Sequence, residues 1–263
     1  MVRLRIDLAY DGGPFAGFAR QADQVTVQGT LEGALSRLSG LDLDTTCAGR
    51  TDRGVHALAQ VVSVDIDTST RRAARLVADL SATRERIDGL VGSAIAIWSV
   101  TTVDEGFDAR FSAVERAYRY RIVDAVVADP RLHGLRWQVP ARLDVEAMHA
   151  GVQHVVGEHD YASFCRKAAG KHTTRRTDEA AVVRADDEIH VTLRGKAFCH
   201  NQVRSIVGCL AEVGRGRRPP AWIGEVLCAR DRSIAARVAP PYGLTLEAVR
   251  FADPYPPAPL VRL

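Results

Sequence analysis

Two glycines bracket a charged tip in the stretch Ala48-Gly49-Arg50-Thr51-Asp52-Arg53-Gly54-Val55-His56. A short run, Asp44 to Cys47, precedes it, and a long β-like run, Ala57 to Ile66, follows. Glycine supplies the backbone angles a tight turn needs, so the pattern predicts a turn between two strands. A turn anchored by strands holds its side chains on a rigid platform, which suits a reactive group. Asp52 is the candidate group. Arg50 and Arg53 favour its ionised form wherever their guanidinium groups approach it. The same nine residues also describe an ordinary β-turn with an acid and solvated arginines, and both readings stand at this point.

The rest of the chain reads as strands and helices in a repeated order. Leu4, Ile6, Leu8 and Tyr10 alternate with Arg5, Asp7 and Ala9, which predicts a strand ended by Asp11-Gly12-Gly13-Pro14. A loop, Phe15 to Gln24, leads to a helix opened by Thr26 and stopped at Gly40. A second helix is predicted from Thr70 to about Leu80, an irregular charged stretch from Arg84 to Gly92, and a strand from Ala94 to Val103. Beyond Asp104–Ser112, Tyr118, Tyr120 and Ile122 share one strand face, with Arg119 and Arg121 on the other. Asp144 caps a helix running to about Val156, and strands follow at Ala181–Val183 and Ile189–Leu193. Two more helices, around Val203–Val213 and Pro220–Ala229, precede a last strand, Leu244–Phe251. The fold class is therefore α+β: two ferredoxin-like βαββαβ halves, 1–107 and 108–263. They are expected to join into one mostly antiparallel sheet, with helices on one face and an active-site cleft on the other.

Composition narrows the function classes. The 263 residues are 46% hydrophobic and 25% charged, as in ordinary globular proteins. No apolar run approaches the roughly 20 residues that span a bilayer. The first residues, Met1 to Asp7, alternate and carry no apolar signal region, so a cytoplasmic location is expected. Five scattered cysteines form no Cys-x-x-Cys pair, which predicts neither a disulfide framework nor a metal site. Lysine occurs only at Lys167, Lys171 and Lys196, so 35 basic residues less 3 leaves 32 arginines. Arginine pairs with phosphate and stacks on bases, which suits RNA, although biased genome composition produces the same count. The net charge of +3 does not support a non-specific nucleic-acid coat, so any RNA-binding charge is local. The acid-free stretch Tyr161 to Thr177 provides such a locality. It interleaves Arg166, Lys167, Lys171, Arg175 and Arg176 with Tyr161, Phe164 and His172. Cations mixed with aromatics suit a loop that tracks phosphates and stacks on bases, and a solvated loop has the same composition.

Several frequent chemistries are missing. There is no Gly-x-x-x-x-Gly-Lys-Ser/Thr loop, no His-Glu-x-x-His and no Gly-x-Ser-x-Gly. A reaction with one carboxylate and neither cofactor nor metal remains. Arg204 lies one residue from the apolar Val203 on its helix, about 100° around the axis, so it emerges beside the core face. From there an arginine can reach a carboxylate in a cleft and keep it ionised. Taken singly, Arg204 is also an ordinary surface arginine and Tyr118 an ordinary core tyrosine.

The motifs taken in order resemble the tRNA pseudouridine synthase A family. The Gly49-Arg50-Thr51-Asp52 stretch resembles its signature, as does Tyr10-Asp11-Gly12 with Gly17 and Arg20-Gln21. So do Ala109-Arg110-Phe111-Ser112-Ala113, Arg116 to Tyr120, Phe198 to Gly208, Pro240 and Gly243-Leu244. The resemblance runs from about residue 4 to residue 252. It implies a tRNA-uridine isomerase with Asp52 as the essential carboxylate, acting on positions 38, 39 or 40 of the anticodon arm. It implies that Tyr118 packs against the target base and that Arg204 pairs with the acid. Arg50 is a further candidate for substrate binding, where it could tune Asp52, grip phosphate or displace the target base. It also implies a homodimer, no cofactor and no metal. Arg20, Arg53, Arg110, Arg166, Lys167, Lys171, Arg175 and Arg176 are the candidate RNA contacts. A non-catalytic RNA-binding protein on the same fold is the alternative. Where the family usually has Trp-Gln this chain has Phe18-Ala19, and it also departs at Asp108, 87–92 and Asn201-Gln202. These departures are expected to touch RNA-contact loops.

Overall fold

The computed structural model describes residues 1–127, 129–166 and 172–256. In chain order the first elements are β1 (Val2–Tyr10), α1 (Val27–Ser39), β2 (Thr46–Cys47) and β3 (His56–Ile66). Then come α2 (Arg71–Ala78), α3 (Leu80–Val91), β4 (Ile95–Val103), β5 (Ala113–Val123), β6 (Trp137–Gln138) and α4 (Val145–Val152). The remainder is β7 (Gly157–Asp160), β8 (Thr174–Thr177), β9 (Glu179–Ala185), β10 (Glu188–Gly195), α5 (Gln202–Gly214), α6 (Trp222–Ala229) and β11 (Leu244–Phe251). The fold is α+β with mostly antiparallel pairing. The chain forms two compact units: residues 1–114 with 246–256, and residues 115–245. Both β5 and β11 run across that division, whereas the sequence places β11 wholly in the second half.

In the first unit the strand order is β4-β1-β3-β11, with β2 also on β3. A strand of two residues cannot fill an edge, and the final strand of the chain occupies it. Leu4, Ile6 and Leu8 are fully buried, as their alternation predicts. The other face of β1 is buried too. Arg5 and Asp7 form an ion pair at 3.0 Å, and the Ser99 hydroxyl donates to Asp7. The Arg5 guanidinium lies 4.9 Å from the Phe251 ring centre and 5.8 Å from that of Phe107. A buried charge pair is tolerated only where further partners satisfy it, and the aromatic rings and Ser99 help to do so. Even so, burial pushes the Asp7 carboxyl above its ordinary value despite Arg5.

Capping explains the helix starts. The Thr26 hydroxyl accepts from the Gly29 amide, and Gly40 closes α1 in the left-handed region at φ 78°. Thr70 caps α2 in the same way. The stretch 84–92, expected to be irregular, is most of α3. Asp79 caps it, and Thr83, Ile87 and Val91 are its buried face at i, i+4 and i+8. Arg84, Glu85, Arg86 and Asp88 hide that spacing from a reading by charge density.

In the second unit β10 lies between β5 and β9, antiparallel to both, with Leu193 opposite Tyr118 and Val191 opposite Tyr120. β6 pairs with β5 in parallel, and β7 and β8 form a separate hairpin. Helix α5 is buried on almost every side, including Val203, Ile206, Val207, Cys209, Leu210 and Val213. A Cβ at Gly208 would stand 2.0 Å from the Arg237 carbonyl oxygen, so glycine permits the close approach of the 237–239 backbone to this helix. None of the five cysteines is in a disulfide. Among the described residues no helix is long and apolar enough to cross a membrane.

Candidate active site

Asp52 stands on a turn between β2 and β3, as the glycine pattern predicts. The Val55 amide donates to the Asp52 carbonyl at 3.1 Å, and Gly54 takes the left-handed position at φ 76°. The turn is braced from below by Gln60, which is fully buried on β3. Its amide oxygen accepts from the Gly49 amide at 3.3 Å and the Val61 amide at 3.2 Å. Its Nε2 donates to the Gly49 carbonyl at 2.6 Å and to the Tyr10 hydroxyl oxygen at 3.3 Å. That oxygen is in turn 2.8 Å from the Thr51 hydroxyl. Gln60 therefore has both its donors and its acceptor engaged, as a buried amide requires. Gln60 is not among the candidate residues that the sequence motifs offer. An amide side chain inside a run, Ala57 to Ile66, in which only Gln60, Ser63 and Asp65 are polar was the available signal.

Two other segments press on the turn. The Phe18 amide donates to the Thr51 carbonyl at 3.0 Å, and Gly17, at φ 120°, closes against Thr51 and Arg53. The Gly12 amide donates to His56 Nδ1 at 3.1 Å. A Cβ on Gly12 would lie 2.2 Å from the Val55 carbonyl oxygen. Gly12→Ala is therefore expected to displace the Val55 end of the turn and to cost about 1–3 kcal/mol. Thermal unfolding measures the loss. A variant as stable as the parent would show that the turn has slack there.

Tyr118 and Arg204 lie in the second unit. Tyr118 is on β5, 9% exposed, with its ring edge-on to Phe198 at 5.3 Å between centres. Arg204 opens α5, half-buried, and is fixed rather than loose. Its Nε donates to the Ala239 carbonyl at 2.9 Å and one terminal nitrogen to Asn201 Oδ1 at 3.1 Å. The Ala239 amide returns a bond to the Arg204 carbonyl at 3.1 Å. The Tyr120 hydroxyl donates to the Pro240 carbonyl, and burial raises its pKa well above that of an ordinary tyrosine.

The remaining candidates divide by their partners. Arg50 and Arg53 are exposed on the turn, Arg53 donating to Gln24. Arg20 pairs with Glu32 at 3.1 Å and Asp44 at 2.8 Å. Arg166 is exposed, and Arg110 lies over the Phe111 ring. Lys167 and Lys171 lie outside the described residues. Arg175 and Arg176 belong to β8 and not to a loop. Arg175 spends a terminal nitrogen on the His172 and Thr174 carbonyls, and Arg176 pairs with Asp178 at 2.8 Å. Tyr161 and Phe164, expected among the stacking residues, are fully buried instead. The Tyr161 hydroxyl bonds the Val155 carbonyl and the Thr177 hydroxyl, which lets the whole ring enter the core. Among the departures from the family pattern, Phe18 and Gln202 are buried and 87–91 is helical. Among the described residues no group of three or more His, Cys, Asp or Glu side chains could hold a metal ion.

Comparison with known proteins agrees with the motif order. The profile of a family described as tRNA pseudouridine synthase matches residues 8–112 and 152–252. A tRNA pseudouridine synthase A from Frankia casuarinae is 46% identical, covering 98% of this chain and 91% of its own. Those of Streptomyces avermitilis and Brevibacillus brevis are 43% and 42% identical, each over 95% of this chain. They span 88% and 100% of their own lengths. With the glycine-bracketed acid and nearly full-length similarity together, the chain belongs to the tRNA pseudouridine synthase family.

Proposed function

We propose that this protein isomerises uridine to pseudouridine in the anticodon arm of tRNA, at positions 38, 39 or 40, with Asp52 as its essential carboxylate. The observation that carries the reading is the bracing of the Asp52 turn by Gln60, Tyr10, Gly12 and Gly17. A carboxylate used for chemistry needs a fixed position more than an ordinary turn acid does.

The reaction breaks the C–N glycosidic bond and joins the same base to the same sugar through carbon. Product and substrate have the same atoms and the same electrons, so no redox partner enters the balance. A base within a stem must first be flipped out, at a few kcal/mol of lost stacking and pairing. A positioned carboxylate then supplies a nucleophile or a base. Tyr118, Arg204 and Arg50 are the proposed substrate-binding residues. Arg20, Arg53, Arg110, Arg166, Lys167, Lys171, Arg175 and Arg176 are the proposed RNA contacts, and a homodimer is the proposed assembly. Because Arg20 and Arg176 already hold carboxylates, phosphate contact by either would have to compete with an existing pair.

The test is to treat an unmodified tRNA transcript with the pure protein and map the modified positions. Pseudouridine at 38 to 40 is expected. Modification confined to another arm would overturn the assigned position, and no modification of any transcript would overturn the activity.

A further inference from the structure

The aromatics that the sequence offers for base stacking, Tyr161 and Phe164, are in the core. Phe111 is the reverse case. It is 76% exposed, the one aromatic among the exposed large apolar side chains of the described residues.

Its exposure is built in. Phe107, four residues earlier, is fully buried against Phe251 and Tyr255. The Ala109 amide is tied to the Ser63 hydroxyl of β3 at 3.2 Å. Asp108 then closes a tight turn. One of its carboxylate oxygens accepts from both the Arg110 and Phe111 amides, each at 2.8 Å. The Asp108 amide donates to the Ser112 hydroxyl at 3.0 Å, and the Ser112 amide to the Asp108 carbonyl at 2.9 Å. A turn with this many bonds holds its tip in one conformation and cannot fold Phe111 back onto the core. The Arg110 guanidinium lies 5.3 Å from the ring centre of Phe111. A cation over one face of an aromatic ring leaves the opposite face to another planar group.

We propose that Phe111 is a stacking platform for an unpaired nucleobase of the RNA substrate, with Arg110 beside it as the phosphate partner. The inference rests on the proposed function for the identity of the RNA. The occupant is a nucleobase and not a second protein surface because the tip pairs one aromatic with one cation. That pair is complementary to a base and its phosphate, and it lacks the apolar area of a protein interface. Ser63, where the turn is tied down, is three residues along β3 from Gln60, which bonds Gly49 of the Asp52 turn, roughly 10 Å at about 3.3 Å per residue. The role proposed for Phe111 is in RNA binding and not in the chemical step.

Three variants of the full chain test this: Phe111→Ala, Phe111→Trp and Arg110→Ala. Each is assayed for tRNA affinity over a range of salt, for turnover and for sedimentation. Phe111→Ala is expected to weaken tRNA binding about tenfold, in Kd and KM and not in kcat, with the salt slope of binding unchanged. Phe111→Trp is expected to keep affinity and to show indole emission quenched by added tRNA beyond that of the parent's own tryptophans. Arg110→Ala is expected to reduce the log–log salt slope by roughly 0.7–0.9. Unchanged affinity in Phe111→Ala, or an unquenched indole at position 111, overturns the proposal. So does a change in sedimentation with tRNA affinity preserved, which would assign the tip to contact between two copies of the chain. A parent protein that bound tRNA at Phe111 but formed no pseudouridine would refute the proposed function and leave this inference standing.

Discussion

Asp52→Asn is expected to fold, to bind tRNA as the parent does, and to lose pseudouridine formation by on the order of 10⁴-fold or more. Asparagine has nearly the shape of aspartate and keeps one acceptor oxygen. Bonds that hold the turn survive the change: Val55 bonds the Asp52 carbonyl, and Gln60 acts through Gly49, Tyr10 and Thr51. The substitution therefore removes the charge and spares these bonds. Circular dichroism and tRNA affinity check the fold and the binding, and pseudouridine release from a transcript checks the chemistry. Turnover by the variant at a measurable fraction of the parent rate would remove Asp52 from its role. A parent protein that itself bound tRNA without modifying it would favour a non-catalytic RNA-binding protein on this fold.

The second large effect is structural. Asp124→Ala is expected to destabilise the second unit by about 3–5 kcal/mol, the usual loss when one partner of a buried ion pair is removed. The Asp124 side chain is 2% exposed and follows directly after β5, the strand that carries Tyr118. Its two oxygens take the Arg184 guanidinium side by side at 2.8 and 2.9 Å. The Leu143 amide adds a bond at 2.9 Å, and Arg142 stands 3.5 Å away. Burial alone would raise this carboxyl. The hydrogen bonds and arginine charges outweigh burial and hold it below its ordinary value. A depressed acid contributes stability above its unfolded value of about 3.9 and loses it as the pH falls through the folded value. Urea unfolding of parent and variant should therefore differ most near neutral pH, and the gap should close in strong acid. A gap that stayed constant down to acid would show that packing, and not the ion pair, carries the loss.

Local features were legible because adjacent residues encode them. Thr26, Thr70 and Asp144 cap the helices they precede, and the glycines flank the Asp52 turn. The alternation of β1 predicts which of its residues face the hydrophobic core. The charged stretch 84–92 defeated the same kind of reading, because charges on the outer face of α3 outnumber the three residues that bury it. Arg5 and Asp7, the charged positions of the β1 alternation, are buried too, because Phe107, Ser99 and Phe251, all distant in sequence, cover them.

The acidic turn shows the same division. The sequence alone determined that Asp52 stands on a glycine-bracketed turn between strands, and the order of motifs determined the family. Only the tertiary structure decided that the turn is rigid, because the groups that brace it come from β1, the 12–18 loop and the middle of β3. It also decided which aromatics meet solvent, burying Tyr161 and Phe164 and exposing Phe111. Turn formation depends on the backbone preferences of neighbouring residues. Burial and bracing depend on groups that folding brings from far along the chain, and no local pattern records them.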